Sequence, residues 1–353
     1  MRWRNRRADR KTNYHFDRLR ILWFRQGLDL HNRVVAALVL VNYHRGSKND
    51  YCLSRITMNE WISYHAYSIA WKVTRALPAK LSYKLFEKIA DFIVRRNPAP
   101  VRRMRSNYAR VHPELSSIEL DALVFRGMRS YLRYWCDTFR LPSWSVSQTM
   151  ENVVVENEHL LRGPLKEGRG LIVSLPHAGN WDHAGAYFCA SGAPLVTVAE
   201  HLKPEKLFRK FLEYRNRIGM EVLDANARSL ATLSQRLRNN RLIALVADRD
   251  LSKSGVDVMF LGAPSRMPIG PALLSIQTGA PLITAFVKYE ERGIRIIFEE
   301  KIEIPSEGTQ AEKIAMMTQE CANRFGRLIA EHTADWHMLQ RIWIDGDFVE
   351  RVS

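Results

Sequence analysis

The second half of the chain alternates short apolar runs with longer segments in which apolar residues recur every three or four positions. Seven short runs have the length and the β-branched content of strands: 153–155, 171–175, 195–199, 242–247, 256–260, 282–287 and 294–298. Five longer segments have helical periodicity: 181–190, 204–218, 228–239, 271–278 and 310–333. Strands that alternate with helices predict an α/β fold, with a central, mostly parallel sheet flanked by helices.

Before residue 150 the pattern is helical and strongly basic. Between residues 67 and 96 one apolar stripe repeats at four-residue spacing, and it consists of Leu81, Leu85, Ile89 and Ile93. Lysines and arginines border this stripe, and Pro78 is predicted to divide the segment into two helices. Such a helix either lies in a membrane interface or packs its stripe on the core, and the sequence leaves both interpretations open.

The distribution of charge divides the chain into three parts. Residues 1–57 contain 13 Lys and Arg against 4 Asp and Glu, residues 58–150 contain 15 against 7, and residues 151–353 contain 25 against 26. We predict a basic N-terminal extension at 1–57, a basic helical region at 58–150 and an α/β core at 151–353, with 58–353 as one structural domain. The extension is expected to be disordered or not translated, with Met58 as the natural start.

The net charge of +16 favours a negatively charged partner, either an anionic lipid surface or nucleic acid, over a solvated basic face with no partner. No helix-turn-helix, zinc-knuckle or aromatic RNA-binding signature accompanies the charge, so we favour a membrane and expect no nucleic acid. The longest apolar run, 34–41, is too short to cross a bilayer. We therefore expect peripheral association with the cytoplasmic face of the cell membrane.

The cysteines and glycines exclude several kinds of site. The four cysteines are scattered without C-x-x-C spacing, which predicts reduced thiols and no metal site: Cys52, Cys136, Cys189 and Cys321. The chain contains neither a G-x-G-x-x-G string nor a P-loop, which argues against nucleotide hydrolysis and nicotinamide chemistry. No bound cofactor is expected.

Residues 174–182 are the most informative stretch for chemistry. An apolar strand ends at Leu175, and a turn then carries His177 towards a helix that begins near Trp181. Ligands of open α/β sheets bind beyond the carboxyl ends of the strands, so His177 is well placed for proton transfer. Asp182, in the first turn of that helix, is expected to reach back and fix the tautomer of the imidazole. An isolated H-x-x-x-x-D pattern is more often structural than catalytic, so the surrounding residues must decide.

Those residues resemble the glycerolipid acyltransferase superfamily, whose H-x4-D motif His177 and Asp182 fit. The string from His177 to Asp182 is similar to the branch that contains the lipid A acyltransferases and, more closely, the phosphatidylinositol mannoside acyltransferases. Further matches follow in order over roughly residues 60–345: 197–204, the R-x-x-x-G pattern at 215–219, the acidic block at 247–251, 260–262, 267–272 and 278–281. The superfamily's F-P-E-G-T-R string is absent, and 248–250 stands in its place, which favours this branch.

The resemblance implies a glycerolipid-acyltransferase-like fold with an N-terminal helical membrane-association region. It implies an acyl-CoA-dependent O-acyltransferase that moves a long acyl chain, palmitoyl by analogy, to a mannose hydroxyl of phosphatidylinositol mannoside. Acyl-CoA would enter as the donor substrate and the glycolipid as the acceptor. One alternative is another glycolipid, such as a lipid A-type acceptor, with acyl carrier protein as donor. The alternative from a different class is a non-catalytic module that binds anionic lipid.

The resemblance, together with the chemistry of imidazole, assigns His177 as the general base and Asp182 as its orienting acid. Glu200 ends the run 195–199 and is expected at the same sheet edge, as a second acidic partner or a ligand of sugar hydroxyls.

Arg215 is the expected anion contact, for a phosphate of coenzyme A or of the phosphoinositol headgroup. Asp248 or Asp250 is expected to shape the site, and Arg249 to hold a carboxylate or phosphate. The segments 335–337 and 341–343 resemble the C-terminal segment of proteins in this branch, and we interpret them as structural.

Overall fold

The computed structural model describes residues 65, 67–199, 205–225, 228–250 and 254–346. The predicted extension 1–57, Met58 and Glu200 lie outside the described residues. In the described part the chain forms a seven-stranded sheet, a separate two-stranded hairpin and helices on both faces of the sheet.

The strands follow the chain in this order: β1 (Val153–Glu156), β2 (Leu171–Leu175), β3 (Leu195–Ala199), β4 (Glu221–Asp224), β5 (Leu242–Val246), β6 (Val256–Phe260), β7 (Ala263–Met267), β8 (Leu282–Tyr289) and β9 (Ile294–Ile302). The large sheet has the order β1-β9-β8-β2-β5-β3-β4, and β6 pairs with β7. Every pair in the large sheet is parallel except β8 with β9. The predicted α/β fold with a mostly parallel sheet is confirmed.

The helices are α1 (67–76), α2 (Ala79–Arg96), α3 (Ala99–Val111), α4 (Ser117–Arg140), α5 (Val146–Met150), α6 (His159–Lys166), α7 (Trp181–Ala190), α8 (Glu205–Arg217), α9 (Ser229–Arg238), α10 (Gly270–Thr278) and α11 (Gln310–Glu331). Short 3-10 turns follow α4 at Leu141–Ser143 and α11 at Thr333–Asp335. Local sequence features explain where several of these helices begin. Pro78 precedes α2, as predicted, and a Ser or Thr capping box begins α4 and α11.

The apolar stripe of α2 packs mostly on the protein. Ile89 and Ile93 are buried in the main hydrophobic cluster, and α2 lies along α4, whereas Leu81 at the start of the helix is 52% exposed. Burial of each large aliphatic side chain contributes about 1.5–3 kcal/mol, which explains why the stripe faces the core. Within the ranges described above, no helix has both the length and the apolar character needed to span a bilayer.

The position of the site follows from the sheet. Strand β2 is central, with β8 on one side and β5 on the other, and all five of its residues are buried. Parallel β2 and β5 run in register from Leu171 opposite Leu242 to Leu175 opposite Val246. The residues that follow these two strands therefore emerge side by side at one edge of the sheet.

Candidate active site

A tight turn holds His177 just beyond the end of β2. Gly179 has a φ of +56°, and a Cβ there would lie 2.4 Å from the backbone oxygen of Val287. The turn therefore needs glycine for both its conformation and its space. Asn180 then caps α7, because its side-chain oxygen accepts a hydrogen bond of 2.9 Å from the backbone N–H of His183.

The partner of His177 is Asp248, which follows β5. His177 Nδ1 lies 2.5 Å from Asp248 Oδ1. The other oxygen of Asp248 accepts hydrogen bonds from the backbone N–H of His177 at 3.0 Å and from Trp336 Nε1 at 2.9 Å. These three contacts hold both the imidazole ring and the turn that carries it.

Electrostatic attraction and hydrogen bonds keep the buried carboxyl of Asp248 ionised beside His177. Burial raises the pKa of the Asp248 carboxyl, but attraction to His177 and the hydrogen bonds from His177 and Trp336 outweigh it, so the pKa is lowered. An ionised carboxylate only accepts hydrogen bonds, so we assign the proton on the ring to Nδ1 of His177. Nε2 then carries a lone pair. The His177 side chain is 23% exposed, and Nε2 has no hydrogen-bond partner in the described part of the chain.

Asp182 does not orient His177, which corrects the expectation from the motif. Its carboxylate accepts hydrogen bonds from Arg215 Nε at 3.0 Å and from the Tyr134 hydroxyl at 2.9 Å. The first turn of α7 directs Asp182 into the space between α4 and α8, where it is 2% exposed. The orienting contact falls to Asp248 because β5 lies beside β2 in the sheet.

Arg215 is likewise committed to a protein partner. Burial lowers the pKa of its guanidinium, but the charge of Asp182 and their hydrogen bond outweigh burial, so the pKa is raised. The guanidinium that is expected to contact a ligand anion forms an ion pair with Asp182 in the structure.

The other expected binding residues lie on the loop after β5. Asp250 accepts a hydrogen bond of 2.9 Å from the backbone N–H of Gly255, and its own N–H donates to the backbone oxygen of Arg266 at 2.9 Å. Asp250 therefore fastens the loop to the β6–β7 hairpin. Arg249 is half-buried between Asp248 and Asp250.

The segment after α11 completes the site, which the interpretation of 335–337 as structural did not anticipate. The backbone N–H of His337 donates to the His177 oxygen at 2.8 Å, and the N–H of Gly179 donates to the Asp335 oxygen at 2.8 Å. Trp336 is fully buried, and its indole reaches Asp248, 88 positions away in sequence. No local pattern predicts this contact, because the two residues meet only when the last segment crosses the sheet edge.

A third buried carboxylate, Asp137, bonds to the turn that carries His177 through Asn180. Asp137 of α4 accepts hydrogen bonds from the Tyr83 hydroxyl at 2.6 Å, the Tyr289 hydroxyl at 3.0 Å and Asn180 Nδ2 at 3.2 Å. Asn180 thus connects Asp137 to the cap of α7. The helical region before residue 150 is therefore part of the structure that holds His177.

The Trp181 ring lies near both His177 and a second histidine, His337. The Trp181 ring lies 5.6 Å from the His177 ring and 6.1 Å from the His337 ring, and it stacks on Tyr134 at 4.3 Å. Burial, with a smaller contribution from the charge of His177, lowers the pKa of His337 to about 3. His337 is therefore neutral at physiological pH and unsuited to proton transfer there.

The site as a whole can accept a proton from a bound group through His177 and stabilise the resulting imidazolium with Asp248. No group of three or more acidic, cysteine or histidine side chains with metal-site geometry occurs among the described residues.

Comparison with known proteins gives consistent matches. A family model described as "Bacterial lipid A biosynthesis acyltransferase" matches residues 53–344, which include His177, Asp248 and Trp336. The phosphatidylinositol mannoside acyltransferase of Mycobacterium tuberculosis is 37% identical over 294 residues, covering 82% of this chain and 89% of that protein. The phosphatidylinositol mannoside acyltransferase of Mycolicibacterium smegmatis is 38% identical over 296 residues, covering 82% of this chain and 94% of that protein.

Proposed function

The chain belongs to the bacterial lipid A biosynthesis acyltransferase family, and from its likeness to the two mycobacterial relatives we propose that it acylates phosphatidylinositol mannoside. The donor in this proposal is a long-chain acyl-CoA such as palmitoyl-CoA, and the acceptor is a mannose hydroxyl. The observation that carries the chemistry is the His177–Asp248 pair, with Nδ1 of His177 held and Nε2 open. The names of the relatives support the choice of acceptor.

The reaction needs one base and no covalent acyl-enzyme intermediate. Nε2 of His177 takes the proton of the mannose hydroxyl as its oxygen attacks the thioester carbonyl carbon. The tetrahedral intermediate collapses, the C–S bond breaks, and the imidazolium returns its proton to the departing thiolate of coenzyme A. Asp248 stabilises the imidazolium between these two steps and remains ionised.

The cysteines support direct transfer over an acyl-enzyme. Burial raises the pKa of the thiols of Cys136 and Cys189, and it raises the pKa of Cys321 to about 12. Thiolates, the nucleophilic form, are therefore scarce at these positions near neutral pH.

We also propose that the protein works at the cytoplasmic face of an anionic membrane. Three exposed apolar side chains on α1 and the start of α2 support this placement, namely Ile69, Val73 and Leu81. Four basic residues lie within three positions of these side chains in the sequence: Lys72, Arg75, Lys80 and Lys84. Each basic side chain near an anionic leaflet contributes about 1 kcal/mol of attraction before screening.

The experiment that tests the proposal is transfer of radiolabelled palmitoyl from palmitoyl-CoA to purified phosphatidylinositol mannosides. We expect product with the wild type and a loss of about 10²- to 10⁴-fold in rate for His177→Ala. His112→Ala is the matched control, because His112 bonds to Glu114 and Thr333 and lies outside the site; it should retain activity.

Parallel reactions separate the alternatives. Activity only with acyl carrier protein, or only on a lipid A-type acceptor, would change the substrates and keep the base. A wild type that binds anionic vesicles but shows no His177-dependent reaction with any of these donors and acceptors would favour the non-catalytic lipid-binding module.

A further inference from the structure

A basic cavity of about 610 Å³ lies beside the site, between α1, α8 and the 3-10 turn after α4. We call it the α1–α8 cavity. Its walls include the rings of Trp71 and Tyr214 and the cations Lys72, Arg75, Lys210 and Arg217. It has no role in the mechanism given above.

The described lining of the cavity has many more basic than acidic side chains. Glu213 is the one acidic residue in its described lining, against four cations. No ion pair involves Lys72, Arg75 or Arg217 in the ranges that the structure describes. An anion that entered this cavity would therefore meet several cations whose charges the described residues leave largely uncompensated.

Lys210 shows that these charges act on one another. Its Nζ lies 4.9 Å from the centre of the Trp71 ring and donates to Ser68 Oγ at 3.3 Å. Burial lowers the pKa of Lys210 and the charge of Lys72 lowers it further, whereas the charge of Glu213 raises it in part. Since like charges held together destabilise each other, a bound anion would relieve this repulsion.

Tyr214 connects the cavity to the active site. It lines the cavity and precedes Arg215, the partner of Asp182. Burial and the charge of Asp182 raise the pKa of the Tyr214 hydroxyl, so this side chain interacts with that carboxylate as well as lining the cavity. The Tyr214 hydroxyl is buried without a hydrogen-bond partner among the described residues. Along α8, Arg215 is committed to Asp182 whereas Arg217, two positions further, faces the cavity.

We propose that the α1–α8 cavity binds a phosphate group of one of the two substrates, an inference that rests on the proposed function. Phosphate oxygens form charge-assisted hydrogen bonds with guanidinium and ammonium groups, and the cavity offers both kinds. The anion contact expected of Arg215 is thereby assigned to Lys72, Arg75 and Arg217. Two sources carry this chemistry: the phosphates of coenzyme A and the phosphodiester of the phosphoinositol lipid.

The test measures binding without turnover, so that it stands apart from the test of the proposed function. The full-length protein is titrated calorimetrically with coenzyme A, with pantetheine as its phosphate-free counterpart, and with short-chain phosphatidylinositol. The variant is Lys72→Gln with Arg217→Gln, two exposed side chains whose replacement leaves the core intact. Arg209→Gln is the matched control, because Arg209 is an exposed arginine of α8 that pairs with Glu205 and does not line the cavity.

We expect the double variant to bind one phosphorylated probe about tenfold or more weakly, since hydrogen bonds to charged groups are the strongest of their kind. A loss confined to coenzyme A assigns the cavity to the donor, and a loss confined to phosphatidylinositol assigns it to the acceptor. Pantetheine binding and the control should not change.

Equal affinities of the wild type and the double variant for both phosphorylated probes would overturn the proposal, as would a wild type that binds neither. Matching circular dichroism spectra and melting temperatures establish that the variant is folded. A protein that binds a phosphorylated probe through the cavity yet transfers no palmitoyl would retain this inference and lose the proposed function.

Discussion

Two buried carboxylates near the same turn have opposite chemistry because their partners differ. Asp248 holds a histidine, whose imidazole can both accept and donate a proton, whereas Asp182 holds an arginine, which stays protonated. The two pairs are exposed to a similar degree, because His177 is 23% exposed beside a buried Asp248 and Arg215 is 20% exposed beside a buried Asp182. Asp182 is nearer to His177 in the sequence, but Asp248 is the acid that bonds to it. The chemistry of each acid therefore depends on the side chain that it contacts in the folded protein, and not on its distance from the histidine along the chain.

The comparison predicts that Asp248 matters most for turnover. Asp248→Asn keeps the shape of the side chain but removes the charge that stabilises the imidazolium, so we expect kcat to fall about 10²- to 10⁴-fold. Asp257→Asn, which removes a carboxylate from the exposed pair with Arg266, should leave kcat near that of the wild type. Initial rates of palmitoyl transfer measure both. Turnover by Asp248→Asn at the wild-type rate would contradict the assignment.

Asp182 is predicted to matter most for stability. Asp182→Asn leaves the Arg215 guanidinium without its counter-charge, and loss of one partner of a buried pair costs about 3–5 kcal/mol. We expect the lower end of that range, because the Arg215 side chain is 20% exposed. Urea denaturation measures the free energy of unfolding.

The control for that experiment is Asp121→Asn. Asp121 pairs with Arg105 on the surface, where the two side chains are 56% and 38% exposed, so the loss should be about 1 kcal/mol or less. Similar losses from the two substitutions would remove the distinction between the buried pair and the surface pair.

The buried His337 predicts a pH dependence of stability. The unfolded chain protonates this residue near pH 6.5 and the folded protein only near pH 3, so the unfolded state binds the extra proton in between. Stability should therefore be full above about pH 6.5 and fall as the pH is lowered, with a contribution approaching ~1.4 kcal/mol per pH unit. His337→Gln should show a shallower slope between pH 6 and 4 in denaturant titrations. Identical slopes would show that His337 does not cause the pH dependence of the free energy of unfolding.

Trp336 allows one carboxylate to be perturbed without the other, because its indole bonds to Asp248 and not to Asp182. Trp336→Phe removes that hydrogen bond while it keeps an aromatic ring, and we expect a loss of about 1–3 kcal/mol from the bond to a charged group. The same change should shift the pH profile of kcat, since Asp248 would hold His177 less firmly. A purely structural role would lower stability and leave the profile unmoved.

The local elements were largely predictable. The predicted ends of strand β2 and helix α7 agree with the structure, and the break at Pro78 is confirmed. Two strands were missed. Strand β4 is a short edge strand with acidic residues at both ends, and β7 contains Pro264 and Arg266, which disfavour a strand assignment. Both form because a neighbouring strand supplies hydrogen bonds that the local pattern does not reveal.

The sequence by itself determined the α/β class, the turn after β2 and the presence of a histidine at the end of a central strand, because apolar periodicity, proline and glycine act over a few residues. Only the tertiary structure decided that Asp248 and Trp336 meet His177, that Asp182 takes Arg215, and that the stripe of α2 faces the core. These contacts join residues far apart in the chain. Which distant groups meet depends on the order of strands in the sheet and on the burial of whole faces, and neither is encoded in a local pattern.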